Sequence, residues 1–308
     1  MTILTNTTSA LAARELERMR GEGGSSALGK VLNLIAVVKD DDGVRAVSEA
    51  AVDVAQAHPL RIIILLPDTP SDENDGAPRL DAELVHREQV GVAEVVILRP
   101  YNGAGENKVS LVLPLLLPDA RVFTWWVQEA PTNPAQTGLG KVSSRRITNA
   151  NATRNPVASL TALAQNRASG DTDLTWAGIT IWRSQLAALL NESPHEEVTA
   201  AEVYGNTNRG GANLLAGWLA LRLNVPVHLE HCDSAGIDSV VMQRESGPLS
   251  ISRPRDGDVA ILARPGRSDL QVAMPMRTLQ AQLIEELRTV NDDLEFADVI
   301  QKGLPLVN

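Results

Sequence analysis

Two nearly continuous apolar runs of strand length constrain the fold of this chain more than any other feature. The runs are Val31–Val38 and Arg61–Leu66, and such runs are typical of strands that are buried on both faces of a parallel sheet. Three aspartates at 40–42 favour a helix N-terminus between the runs. Apolar residues then repeat at helical spacing, at Val44, Val47, Ala51 and Val54. The sequence therefore predicts a right-handed β-α-β unit with parallel strands.

Further apolar segments extend this pattern. Residues 93–98 and 121–127 are predicted strands, and residues 8–20 are a predicted helix, so the first half is predicted to be an α/β sandwich around a mostly parallel sheet. The second half is predicted to be an α+β domain with antiparallel strands. There, an apolar helix at 213–223 precedes short strands that turn residues separate, which indicates a meander. These strands are 225–230, 237–243, 249–252 and 259–263.

The predicted elements divide the chain into four segments. Residues 1–30 are an N-terminal helix with a flexible stretch at 21–26, residues 31–130 the α/β domain, residues 131–155 a linker, and residues 156–308 the α+β domain. The linker is predicted because Pro, Asn, Thr and Gly, which favour turns and loops, are frequent there. The length of 308 residues agrees with two domains at roughly 150 residues each.

The charge of the chain argues against several classes of partner. Lys and Arg number 28 against 38 Asp and Glu, which gives a net charge of −10, and only 3% of the residues are aromatic. Such a chain lacks the basic surface of a nucleic-acid-binding protein, and anionic lipid repels it. No apolar stretch is long enough to span a membrane, and the N-terminal charges follow the apolar residues, unlike those of a signal peptide. We therefore expect a cytoplasmic protein.

Cys232 is the only cysteine, so the chain cannot close an intramolecular disulfide. His228, Glu230 and Cys232 alternate in sequence and could share one face of a strand, where they could bind zinc. A half-exposed strand gives the same pattern by chance. We expect no bound metal and a buried, unreactive thiol.

The sequence contains no recognised catalytic motif and no complete phosphate-binding loop. Gly138–Lys141 departs from the P-loop pattern, and Gly103-Ala-Gly105 lacks the third glycine of the dinucleotide fingerprint. Asp171 and Asp173 precede a predicted helix, and we interpret Asp173 as the cap of that helix rather than as a general acid. We predict neither catalytic residues nor a bound cofactor.

Arg209, Gly210 and Gly211 are a better candidate for anion binding, because they lead into the apolar helix at 213–223. Backbone N–H groups at the start of a helix attract phosphate, and the arginine adds a positive charge. A tight turn explains the two glycines equally well, so both interpretations stay open.

Four of the five tryptophans lie between residues 125 and 182, near several arginines. Consecutive residues of a strand point to opposite faces, so Trp125 and Trp126 cannot enter the same core from strand 121–127. Trp and Arg are enriched at interaction hot spots. We therefore predict a partner-binding surface, with packing between domains as the competing interpretation. It comprises Trp125, Trp126, Arg145, Arg146, Trp176, Trp182 and Arg183.

Eight segments, in this order, resemble one known family. They are GKVLNLIAVV (29–38), HPLRIIILL (58–66), LPLLLPD (113–119), TWW (124–126), RRIT (145–148), GDTDLTW (170–176), TIWRS (180–184) and WLALRL (218–223). Over about residues 10–290, the chain is similar to the glucose-6-phosphate dehydrogenase assembly protein family, OpcA, in its actinobacterial form. No single segment is a catalytic signature, but the ordered set is specific.

The resemblance implies a non-catalytic partner of glucose-6-phosphate dehydrogenase that promotes its assembly or allosteric activation. The partner enzyme opens the oxidative pentose phosphate pathway and makes NADPH. In cyanobacterial relatives the activation is linked to redox control through cysteines, and the single Cys232 departs from that pattern. Two alternatives remain, namely a sensor of phosphosugars or nucleotides and an enzyme acting on a phosphosugar. Both need a cleft with converging cations, for which Arg145, Arg146, Arg183 and Arg209 are candidates.

Overall fold

A computed structural model describes residues 1–22, 32–57, 59–87, 93–192, 195–254 and 257–307. The chain divides into two compact units, and each unit is assembled from separate stretches. Unit 1 comprises Met1–Asn149, Ala168–Thr172 and Leu279–Asp292, and unit 2 comprises Ala150–Arg167, Asp173–Thr278 and Asp293–Asn308.

The first sheet has eight strands in the order β1-β4-β5-β3-β2-β6-β7-β8. The strands are β1 (Thr2–Leu4), β2 (Leu32–Val37), β3 (Leu60–Leu65), β4 (Arg79–Arg87), β5 (Ala93–Tyr101), β6 (Arg121–Trp126), β7 (Arg145–Thr148) and β8 (Asp171–Asp173). Strands β5, β3, β2, β6 and β7 pair in parallel, whereas β4 and β1 pair antiparallel. The predicted mostly parallel sheet and its β-α-β unit are confirmed.

Four helices and the returning segment surround this sheet. They are α1 (Ser9–Glu22), α2 (Asp41–Ala57), α3 (Lys108–Val112), α4 (Gly138–Val142) and, in the segment that returns to unit 1, α9 (Leu279–Arg288). Ile35, Ile63 and Val96 pack in one core with Ala12 and Leu16 of α1. The intervening strand residues Leu34, Ile62 and Ile64 face the other way and are buried as well. The parallel sheet is thus covered on both faces, as its continuous apolar runs predict.

The second sheet has six strands in the order β10-β9-β11-β12-β13-β14. The strands are β9 (Ala200–Gly205), β10 (Val227–His231), β11 (Ile237–Gln243), β12 (Leu249–Ser252), β13 (Val259–Ala263) and β14 (Leu270–Ala273). The helices of unit 2 are α5 (Pro156–Asn166), α6 (Leu174–Gly178), α7 (Thr180–Leu190), α8 (Gly210–Leu223) and α10 (Leu294–Asp298). The predicted α+β class with antiparallel strands is confirmed.

The predicted meander is wrong at its first strand. β10 pairs with β9 in parallel, and α8 is the crossover helix that connects the two strands. The antiparallel pairs run from β9 through β11, β12 and β13 to β14. A short strand after an apolar helix has the same composition in either orientation, so only the crossover connection distinguishes a parallel strand from an antiparallel one.

The segment predicted as a linker, residues 131–155, contains regular structure instead. It includes α4 and β7, and β7 pairs in parallel with β6. The Pro, Asn, Thr and Gly residues that suggested a linker form short connections and helix caps, such as Thr137 at the start of α4. Of the predicted flexible stretch at 21–26, residues 21 and 22 end α1, and residues 23–26 lie outside the described residues.

No helix among the described residues has the length and apolar character that a transmembrane segment requires.

Candidate functional site

The parallel sheet of unit 1 has a crevice where two neighbouring strands end. From β2 the chain proceeds through α2 to β3 on one side, whereas β6 lies on the other side of β2 and leads to β7 beyond it. Ligands of open α/β sheets bind at such a reversal of strand order, beside the carboxyl ends of the strands. Val37 and Trp126, the last residues of β2 and β6, line the crevice here, whose volume is about 810 Å³.

Connecting loops supply the remaining walls of this switch-point crevice. Its polar and charged lining comprises Glu106, Asn107, Lys108, Glu129, Thr137 and Gly138. The loop Glu106–Val109 precedes and begins α3, Glu129 follows β6, and Gly138 begins α4. The crevice has the size of a small-molecule site, but its charged groups carry both signs, so it lacks the concentrated positive charge that a pyrophosphate needs.

At the start of α2, beside the crevice, a carboxylate of the protein itself accepts a backbone N–H group. Asp40 Oδ1 accepts the backbone N–H of Gly43 at 2.9 Å and the side-chain N–H of Gln128 at 2.9 Å. The hydrogen bond from Gly43 and then that from Gln128 lower the pKa of Asp40. Asp41 and Asp42 follow in the first turn of the helix. This helix N-terminus, which would hold the pyrophosphate in a dinucleotide-binding sheet, therefore already carries negative charge.

In the other two glycine pairs considered as phosphate loops, backbone N–H groups also donate to side chains of the protein. The backbone N–H groups of Gly103 and Gly105 donate to the two carboxylate oxygens of Asp68, at 3.1 and 2.6 Å. The N–H of Gly140 donates to Thr137 Oγ1 at 2.9 Å, and a Cβ on Gly140 would collide with the carbonyl oxygen of Pro134. These glycines serve turns and close backbone approach, not anion binding.

The candidate anion site at Arg209, Gly210 and Gly211 lies at the start of α8, where Arg209 is the N-cap residue. Asn151 occupies it, because its Oδ1 accepts the N–H of Gly210 at 3.2 Å and its carbonyl accepts from Arg209 Nη1 at 3.3 Å. A Cβ on Gly210 would come within 2.7 Å of Leu160 Cδ1. The geometry therefore favours the packing interpretation of the glycines over phosphate binding.

The structure corrects the predicted partner-binding surface in unit 1. Trp125 and Trp126 are 0% and 5% exposed, although they point to opposite faces of β6. Both are buried because β6 lies inside a sheet that is covered on both faces. Consecutive tryptophans therefore do not require that one of them meet a partner.

Arg145 and Arg146 are also buried, at 1% and 7% exposure, and they follow each other in β7. Arg145 Nη2 lies 2.6 Å from Glu286 Oε2 of α9, and its Nη1 donates to the carbonyl of Asn291 at 2.6 Å. Arg146 pairs with Asp171 through its Nε and donates from Nη1 to the carbonyl of Ser143 at 3.0 Å. Both arginines hold segments of unit 1 together instead of presenting a docking surface.

The structure brings together two of the predicted residues of unit 2. The Arg183 guanidinium lies over the Trp176 ring, 3.5 Å from its centroid, and Trp176 Nε1 donates to Asp293 Oδ2 at 2.9 Å. Trp182 is 3% exposed and has Arg253 5.5 Å from its ring centroid. Trp176 and Trp182 belong to the hydrophobic core of unit 2, so only the half-exposed Arg183 could contribute to a surface.

The polar candidates around Cys232 do not form a metal site. Within the described residues, no cluster of three His, Cys, Asp or Glu side chains could hold a metal ion. His228 and Glu230 are exposed on β10, and the half-buried Cys232 donates to Asp238 Oδ2 at 3.3 Å. The predicted cap is confirmed, because Asp173 Oδ1 accepts the N–H of Thr175 at the start of α6 at 2.8 Å.

Sequence reasoning placed Asp40 at a helix N-terminus but missed Asp68 and Asn151, which bind the glycines of the other candidate sites. The sequence indicates this role for Asp40, because three consecutive negative charges directly after a buried strand would repel a phosphate. Asp68 and Asn151 lie 35 and 59 positions from the glycines that they contact, and no local pattern connects them.

Comparisons with known proteins identify both halves of the chain. The model of the glucose-6-phosphate dehydrogenase subunit N-terminal domain matches residues 51–165, and that of the C-terminal domain of the same subunit matches residues 169–300. No curated protein matched the sequence.

Solved structures are similar only at low identity. An aldose-aldose oxidoreductase from Caulobacter crescentus is 11% identical, with a TM-score of 0.40 over 89% of this chain and 94% of that chain. A biliverdin reductase from Synechocystis sp. PCC 6803 is 10% identical, with a TM-score of 0.44 over 90% and 97%. Similarity at this level carries no information about activity.

Proposed function

The chain belongs to the glucose-6-phosphate dehydrogenase subunit family, OpcA, and we propose that it is a non-catalytic subunit that promotes assembly or allosteric activation of that dehydrogenase. In this role it acts in the cytoplasm and supports NADPH production in the oxidative pentose phosphate pathway. Its partner is glucose-6-phosphate dehydrogenase itself. The observation that carries the proposal is the match of both subunit domain models, in order, between residues 51 and 300.

The switch-point crevice supports the non-catalytic part of the proposal. Hydride transfer to a nicotinamide cofactor needs a site for the cofactor's pyrophosphate, and in parallel sheets that site is a glycine-rich turn and a helix N-terminus. In this chain the turn after β2 reads Val38-Lys-Asp-Asp-Asp-Gly43, and Asp40 takes the N–H of Gly43. A pyrophosphate there would meet three aspartates, so the oxidation step belongs to the partner enzyme.

The test is co-expression of the chain with the dehydrogenase, followed by size-exclusion chromatography and measurement of NADP⁺-dependent glucose-6-phosphate oxidation. We expect the two chains to elute together and the specific activity of the enzyme to rise. The purified chain alone should neither oxidise glucose 6-phosphate nor bind NADPH. Elution of the two proteins apart, with unchanged enzyme activity, would contradict the proposal.

A variant of the crevice distinguishes activity of the chain from activity of a contaminating host dehydrogenase. Glu129→Gln changes one charged residue of the crevice lining, and Glu49→Gln, on the exposed side of α2, is its matched control. Any turnover by the isolated chain that Glu129→Gln abolishes and Glu49→Gln preserves shows that the chain is itself an enzyme.

Cys232→Ser tests whether a thiol of this chain controls the partner. Cys232 is the only cysteine, and a serine hydroxyl can replace its thiol as a donor to Asp238 Oδ2. We expect activation of the dehydrogenase by this variant to equal that of the parent, under both oxidising and reducing conditions. A difference between variant and parent that appears only under oxidising conditions would establish thiol control.

A further inference from the structure

A pocket of unit 2 collects three arginine side chains in a chain whose net charge is −10. Arg244 follows β11, Arg264 follows β13, and Arg267 lies in the turn that leads to β14. Together with Glu192 they line an open cavity of about 280 Å³, which also includes the apolar side chains of Leu189, Leu249 and Pro265. We call this cavity the arginine pocket. All of its lining residues belong to unit 2.

Two of the guanidinium groups converge on one carboxylate. Arg264 Nη1 lies 2.9 Å from Glu192 Oε2 and 3.3 Å from Oε1, and Arg267 Nη1 lies 3.2 Å from the same Oε2. Arg264 is fixed from the other side, because its Nη2 donates to the carbonyl of Ser268 at 3.0 Å. The side chains of Arg264, Glu192 and Arg267 are 16%, 34% and 49% exposed, so a solute can reach the group. The pocket therefore contains a preformed oxyanion site that a partly exposed carboxylate of the protein occupies.

Glu196 lies beside the pocket, near Ser246 and Arg244. This second carboxylate accepts the backbone N–H of Ser246 at 3.0 Å. The hydrogen bonds from Ser246 lower the pKa of Glu196, and the charge of Arg244 lowers it further, so this carboxylate is ionised at neutral pH. Arg244, Arg264 and Arg267 thus gather in one pocket of a chain that is acidic overall.

We propose that the arginine pocket binds a small phosphate monoester, whose phosphate replaces the Glu192 carboxylate between Arg264 and Arg267. The planar fork of a guanidinium matches phosphate as well as carboxylate, and a phosphate dianion brings more negative charge to two arginines than one carboxylate does. The half-buried Pro265 offers apolar surface to the carbon part of the ligand, above the buried side chains of Leu189 and Leu249. The volume of about 280 Å³ lies just below the range of about 300–1,000 Å³ for ligand pockets, so it favours a small ester over a dinucleotide.

This inference does not rest on the proposed function, because it concerns binding by the isolated chain. The probes are inorganic phosphate and glycerol 3-phosphate, titrated by calorimetry into the full chain at constant ionic strength, with glycerol and chloride as controls. We expect saturable binding of both phosphates, tighter for the ester, and no binding of glycerol. An absence of saturable heat with both phosphates overturns the proposal.

Variants assign the binding to the pocket. Arg264→Gln should weaken phosphate binding by about tenfold or more, because a hydrogen bond to a charged group is lost. Arg222→Gln is the matched control, since Arg222 forms another Arg–Glu pair of unit 2, with Glu295, and does not line the pocket. If Arg264→Gln does not fold, the half-exposed Arg267 provides Arg267→Gln as a second variant. Phosphate binding that both the Arg264 and the Arg267 variants retain unchanged contradicts the assignment.

Glu192→Gln distinguishes a ligand site from a purely structural ion-pair cluster. If Glu192 competes with the ligand, its neutral isostere should bind phosphate several-fold more tightly than the parent does. If the cluster only joins α7 to the β13–β14 turn, Glu192→Gln lowers the midpoint of thermal unfolding and leaves phosphate affinity unchanged or weaker. That result would overturn the proposal.

Discussion

The two units differ in how deeply they bury some of their ion pairs, although unit 1 also has exposed pairs such as Arg45–Asp42. In unit 1, the pairs Arg61–Glu94, Arg145–Glu286 and Arg146–Asp171 are buried inside the fold. In unit 2, Arg222–Glu295 and the Arg264–Glu192 pair lie at the surface, partly exposed. Most residues of the buried pairs in unit 1 belong to strands of a sheet that is covered on both faces, whereas Arg222 and Glu295 lie on the helices α8 and α10 of unit 2.

Buried charges of this kind have a structural role, whereas exposed charges are available to bind a ligand or a partner. A buried pair costs desolvation and cannot be broken without leaving a charge in an apolar surrounding. An exposed pair contributes little to stability and remains available to an external ligand. The comparison explains why the buried arginines predicted as a docking surface serve the core of unit 1, while the arginine pocket of unit 2 is open to solutes.

The largest expected effect comes from breaking a buried pair of unit 1. Arg145→Leu removes the guanidinium that lies 2.6 Å from Glu286 Oε2, whose side chain is only 5% exposed. We expect the free energy of unfolding to fall by about 3–5 kcal/mol in urea denaturation, because a buried carboxylate loses its counter-charge. Adding Glu286→Leu should recover most of this loss.

Arg222→Leu is the matched control for that prediction, because the side chains of Arg222 and Glu295 are 41% and 37% exposed. Its expected effect is within about 1 kcal/mol. Equal losses from Arg145→Leu and Arg222→Leu would contradict the distinction between the two units.

A second prediction concerns the tightest backbone packing in unit 2. A Cβ on Gly217 of α8 would lie 2.9 Å from the carbonyl carbon of Gly303 and 2.9 Å from the amide nitrogen of Leu304. We expect Gly217→Ala to lower the free energy of unfolding by about 1–3 kcal/mol through overpacking. Gly236→Ala, whose Cβ meets nothing within 4 Å, should leave stability nearly unchanged. A harmless Gly217→Ala would show that α8 and the C-terminal segment can move apart at little cost.

The smallest expected effect is the pH-dependent contribution of Asp40. Its pKa is lowered in the folded chain, chiefly by the hydrogen bond from Gly43, so the ionised form stabilises the fold above the unfolded value of 3.8. The thermal midpoint of Asp40→Asn should lie slightly below that of the parent at pH 7. The difference should disappear as the pH falls below 3.8 and through the lower folded pKa. A gap that persists in acid would refute this account.

Local patterns predicted many of the elements, although not α4 and β7 in the supposed linker or the parallel pairing of β10. The continuous apolar runs at 31–38 and 61–66 predicted a parallel sheet because such runs are typical of strands buried on both faces. Asp173 was identified as a helix cap because capping depends on residues two or three positions away. The ordered family segments likewise needed no structure to be recognised.

Only the tertiary structure decided which residues are available to a ligand or partner. Arg145 and Arg146 are as polar in sequence as Arg264 and Arg267, yet Glu286 and Asp171, 141 and 25 positions away, bury the first pair in unit 1. Gly210, the first residue of α8, contacts Asn151 instead of a phosphate for the same reason. Burial and pairing depend on contacts between residues that are distant in the chain, and a local pattern of charge carries no record of those contacts.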